Sequence, residues 1–80
     1  MSVEKPLVVR AVWDEEARVW VASSNDVPGL ATEAVTVDAL VEELKVMIPE
    51  LLDANGCADG DEFHFQVCSE YKGVAYRLAA

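Results

Sequence analysis

Apolar residues in this chain come first in two nearly continuous runs either side of a polar break, then with a period near 3.6, and then with a period of two. Leu7 to Trp13 reads LVVRAVW, an acidic break DEEA follows at Asp14 to Ala17, and Arg18 to Ser23 reads RVWVAS. β-Branched and aromatic runs on either side of a polar break predict a β-hairpin. With the turn centred on Glu15 and Glu16, Trp13 is expected opposite Arg18 and Ala11 opposite Trp20. One face then carries Leu7, Val9, Ala11, Trp13, Trp20 and Ala22, and the other carries Val8, Val12, Val19 and Val21 around Arg10. Both faces are apolar, so both require cover.

Ser23 to Leu30 reads SNDVPGL after its first serine, with Pro28 and Gly29 suited to the two central positions of a type II turn. Leu30 to Val35 predicts a short third strand. Thr36 is a helix N-cap candidate with Asp38 in the first turn, where a carboxylate meets the positive end of the helix dipole. Val37, Leu40, Val41, Leu44, Ile48, Leu51 and Leu52 follow at helical spacing and predict one amphipathic helix to about Asp53. Pro49 is expected to kink or break it near Ile48, and Asn55-Gly56 to stop it.

After a polar loop, Phe63, Phe65, Val67 and Tyr71 alternate with Glu62, His64, Gln66 and Cys68, the pattern of a half-buried strand. Lys72-Gly73 is a turn candidate, and Val74 to Leu78 predicts a last strand with Val74, Tyr76 and Leu78 facing one way. The order β-β-β-α-β(-β) implies an α+β domain with an antiparallel-rich sheet and one helix on one face. A single helix leaves the valine face for the C-terminal segment or for another chain to cover, and a homo-oligomer or partner surface is expected there.

Eighty residues make one domain spanning 1–80 and leave no room for a second. The net charge of -9 sets the molecule against phosphate backbones and anionic lipid, so neither direct nucleic-acid binding nor membrane association is expected. The same charge favours a basic protein partner. Met1 to Pro6 carries one lysine and no long apolar stretch, and no apolar run approaches the roughly 20 residues that span a bilayer. A cytoplasmic protein with reduced Cys57 and Cys68 is expected.

Three segments, VWDEEARVWVASSNDVPGL at Val12 to Leu30, TEAVTVDAL at Thr32 to Leu40 and IPELLDANG at Ile48 to Gly56, resemble the small stand-alone HicB-like proteins. This resemblance implies a partial RNase-H-like fold, a sheet carrying one helix, of the kind HicB antitoxins use to bind and block HicA, a small basic toxin ribonuclease. HicB proteins commonly add a C-terminal DNA-binding domain, which this length does not accommodate, so operator binding is not expected.

Metal-dependent RNase-H-like chemistry needs several converging carboxylates, and Asp14, Glu15, Glu16 and Asp26 are the candidates. Consecutive acids in a hairpin turn point in different directions and read better as a solvated loop. Asp59, Gly60, Asp61 and Glu62 lack the length and spacing of an EF-hand loop. His64 with Cys57 and Cys68 has no recognised zinc spacing, and no nucleophile motif or phosphate loop is present. No cofactor or metal and no enzymatic activity is expected. The expected contact residues for a partner are Trp13, Asp14, Glu15, Glu16 and Asp26.

Overall fold

The computed structural model describes residues 5–56 and 60–78. The elements are β1 (Leu7–Asp14), β2 (Val19–Ser23), β3 (Ala31–Ala34), α1 (Val37–Ala54) and β4 (Phe65–Glu70). They form the α+β fold expected from the sequence, a four-stranded sheet of order β3-β2-β1-β4 with one helix packed on it. β1–β2 and β2–β3 are antiparallel, but β4 pairs with β1 in parallel. Parallel pairing follows from the connection, because β4 is reached only after a helical crossover and not through a hairpin.

The β1–β2 register differs from the expected one. Trp13 faces Trp20, Ala11 faces Ala22, and Asp14 faces Val19, leaving Glu15 to Arg18 as the turn. Asp14 causes the longer turn. Its Oδ1 accepts the backbone N–H groups of Glu16 and Ala17, its carbonyl accepts Arg18 N–H at 2.7 Å, and Arg18 takes a left-handed φ of 61°. A shift of two residues preserves every side chain's face, whereas a shift of one would have inverted the sheet.

The Pro28-Gly29 turn closes as expected: Gly29 has φ 81° and Leu30 N–H donates to the Val27 carbonyl. Thr36 Oγ1 accepts Ala39 N–H at 3.0 Å and caps α1. The helix runs unbroken through Pro49 for 18 residues, correcting the expected break. Leu40, Leu44, Ile48 and Leu52, spaced by four, are all buried, and their packing on both sides of the proline offsets the backbone bond it removes. At the other end, Asn55 N–H donates to the Leu51 carbonyl, and Gly56 takes φ 66°.

The helix stripe meets Val9, Ala11, Ala22 and Ala34 from the sheet, with Val27 and Leu30 closing the core from the turn. Three alanines in the floor allow close approach of the helix. Among the described residues no polar or charged side chain is buried.

The expected strand at Val74 to Leu78 does not form. Residues 71–78 make no regular element, and each is exposed. The Tyr71 ring lies beside Gly73, where an added Cβ would sit 2.8 Å from its Cε1. The C-terminal segment therefore leaves the valine face uncovered.

Leu44→Ala is expected to lower unfolding free energy by about 3 kcal/mol, as for a fully buried core leucine. Val46→Ala, on the exposed side of the same helix, should change it by less than about 0.5 kcal/mol. Urea unfolding monitored by circular dichroism checks both.

Candidate functional site

Pairing and parity define the sheet face opposite the helix. β1 contributes Val8, Arg10, Val12 and Asp14; β2 adds Val19, Val21 and Ser23; β3 adds Ala31 and Glu33; β4 adds Gln66, Cys68 and Glu70. Val8, Val12 and Val21 are 36%, 40% and 39% exposed, a high fraction for valines in the interior strands of a sheet. Val12 and Val21 are direct cross-strand partners and form the middle of the patch. Asp14, Glu33 and Glu70 stand around it, and Arg10 reaches Glu70 at 3.6 Å. An apolar centre with an acidic rim suits a partner with a matching apolar patch and basic surroundings.

The residues singled out from the sequence do not form one patch. Asp14, Glu15 and Glu16 sit together at the hairpin turn, where Glu15 pairs with Arg18. Asp26 lies at the opposite end of β1, its Oδ2 accepting Val8 N–H at 2.8 Å. The length of strand from Val8 to Asp14 separates the two ends, about 20 Å. Ser24 works beside Asp26: its Oγ donates to the Val8 carbonyl and accepts from Asp26 N–H and Val27 N–H. This serine-aspartate pair fastens the start of β1 to the segment before the Pro28 turn. Carboxylates that must hold two ions about 4 Å apart cannot be assembled from the turn and Asp26 at that separation.

Trp13 lies on the helix side of the sheet, not on the valine face. Its ring meets Trp20 edge-on at 5.4 Å and Tyr71 at 6.2 Å, with the Arg18 guanidinium 5.6 Å over it. Its indole N–H is buried without an acceptor among the described residues. Trp20 also contacts Tyr71, so three aromatic rings close the end of the domain from which the C-terminal segment departs.

The remaining candidate chemistry is dispersed. His64 is exposed and bonded to Glu62, Cys68 is exposed on β4, and Cys57 and Asp59 lie outside the described residues. Among the described residues no three histidine, cysteine or acidic side chains are grouped to hold a metal ion. No described helix is long and apolar enough to cross a membrane.

A domain of unknown function, DUF1902, matches residues 6–78. The chain belongs to this family. It is also similar to a hypothetical protein, TTHA1013, from the extremely thermophilic bacterium Thermus thermophilus, whose crystal structure is solved. The two share 49% identity with a TM-score of 0.69, over 90% of this chain and 99% of that one. No curated protein matches.

Arg10, Glu33 and Glu70 also belong to the valine face, though none is among the contact residues expected from the sequence. Arg10 is visible there from alternation, but placing Glu33 and Glu70 beside it requires the pairing of β3 and β4, which alternation alone does not supply.

Asp26→Ala and Asp14→Ala should each lower unfolding free energy by about 1 kcal/mol, because each removes an acceptor from backbone N–H groups. Glu16→Ala, whose side chain makes no such bond, should be near neutral. Thermal unfolding of the three variants separates these roles.

Proposed function

We propose that this domain is a binding module that docks through its open sheet face on a small basic toxin ribonuclease of the HicA type and occludes it, acting without catalysis of its own. The observation that carries this reading is the valine patch of Val8, Val12 and Val21 rimmed by Asp14, Glu33 and Glu70. Apolar side chains at the centre supply non-directional affinity through burial, while the rim carboxylates steer a basic partner and fix its orientation. The net charge of -9 extends that steering beyond the contact itself. Support for the partner class comes from the three HicB-like sequence segments and from the acidic charge. A cytoplasmic location accords with the same reading.

Glu15 and Glu16, at the turn beyond Asp14, extend the acidic rim toward a docked partner. Asp26 and Trp13 have structural duties in this scheme, the first at the start of β1 and the second in the aromatic cluster.

The test is titration with a purified HicA-type ribonuclease. Binding is expected at low salt and should weaken by about tenfold or more on raising the salt several-fold, since exposed charges are screened. Glu33→Lys together with Glu70→Lys should weaken binding at least as much while leaving the fold intact by circular dichroism. Ribonuclease activity that stays unblocked at low salt, or binding indifferent to both substitutions, would remove the toxin-occluding reading.

A further inference from the structure

We infer that this chain is a dimer built by exchange of its C-terminal segment, residues 74–78 of each copy adding as a fifth strand to the open edge of β4 in the other. The docking of the valine face on a toxin is a separate reading, and neither depends on the other.

The segment does not behave as part of the domain that precedes it. The molecule measures 59 × 29 × 18 Å, and its radius of gyration is 15.7 Å. A compact chain of this length has a radius of about 12 Å. Val74, Tyr76 and Leu78 are 76%, 83% and 90% exposed. Three large apolar residues at alternate positions would share one side of an extended strand, the pattern of a β-strand without its sheet. Exposed apolar residues clustered in this way mark a surface that gains when another surface receives it.

That receiving surface is present at β4. As an edge strand, β4 uses one side for β1 and presents unpaired backbone groups on the other. Beneath that edge, on the helix side, lies a groove of about 240 Å³ with Leu44, Ile48, Pro49, Phe63 and Phe65 in its walls. A strand added to β4 in the matching register directs Val74, Tyr76 and Leu78 into this groove, and Phe63 and Phe65, only half-buried in the single chain, become covered.

Charge points the same way. Residues 71–78 contain Lys72 and Arg77 and no acid, whereas the rest of the chain holds 4 basic against 15 acidic residues. Asp61 and Glu62 stand at the groove against the single cation Lys45, so its lining is acidic on balance.

Exchange between two copies is favoured over folding back within one. A hairpin would have to reverse direction at Lys72-Gly73, but Tyr71 is held against Trp13 and Trp20, and its ring lies across Gly73. The strand therefore points away from its own β4, the arrangement from which swapped dimers form, and a two-fold axis satisfies both tails at once. Two inserted tails and the surfaces they cover would bury on the order of 1,500 Å², within the range of stable interfaces.

Light scattering on the eluting full-length protein tests this, at about 100 µM because dimerisation is concentration-dependent. The expected mass is twice 8.7 kDa for the unmodified chain. Tyr76→Glu with Leu78→Glu should return it to 8.7 kDa while the circular dichroism of the domain is retained. Val12→Lys with Val21→Glu, on the opposite sheet face, should leave the dimer in place. An unmodified chain that is monomeric overturns the inference, as does a dimer that survives the tail substitutions or is lost only with those on the valine face. If the tail variant fails to fold, hydrogen exchange of the unmodified dimer decides: protected amides at residues 74–78 support the exchange, and unprotected ones overturn it.

Discussion

A sheet with apolar residues on both faces and, among the described residues, one helix to cover them is the constraint from which the rest of this structure follows. The helix stripe of Leu40, Leu44, Ile48 and Leu52 takes one face, where Ala11, Ala22 and Ala34 provide a floor low enough for close packing. Burial there supplies the main stabilisation of a chain that is small for a single hydrophobic core. The opposite face keeps its valines in water, and the edge strand β4 keeps half its backbone groups unpaired. These exposed surfaces are where association with another chain gains the most, because there apolar area leaves water and backbone groups find partners.

Small polar devices set the geometry around that core. Asp14 organises the hairpin turn by accepting two backbone N–H groups, and the Ser24–Asp26 pair holds the first residues of β1 against the segment before Pro28. Thr36 starts the helix, and Asn55 ends it by bonding the Leu51 carbonyl. Each satisfies backbone groups at an element end, where regular hydrogen bonding stops. Acids that look available for chemistry in the sequence are thus partly engaged in turn structure. Asp14 combines both situations, since it caps the turn and also stands on the rim of the valine face.

The aromatic cluster links the fold to its outgoing segment. Trp13, Trp20 and Tyr71 come from three different places in the sequence and meet at the end of the sheet. Tyr71 is the first residue after β4, so its ring contacts anchor the chain at the point where the irregular segment begins. Membership in a family of unknown function and similarity to a thermophile protein described only as hypothetical place the fold in company without assigning it a role.

Local periodicity determined the elements. Alternation fixed which residues of β1, β2 and β4 share a face, and the 3.6-residue pattern with Thr36 and Asn55-Gly56 fixed the helix within a residue or so of its ends. Both are consequences of backbone geometry acting over a few residues. Tertiary structure alone decided the hairpin register, the parallel placement of β4 beside β1, the continuity of the helix through Pro49 and the fate of residues 74–78. In each of these, competing local options differ little in energy, and the choice falls to contacts between residues far apart in the chain. For that reason the carboxylates could be counted in the sequence, but their division between the two ends of β1, and the gathering of Asp14, Glu33 and Glu70 around the valines, could not.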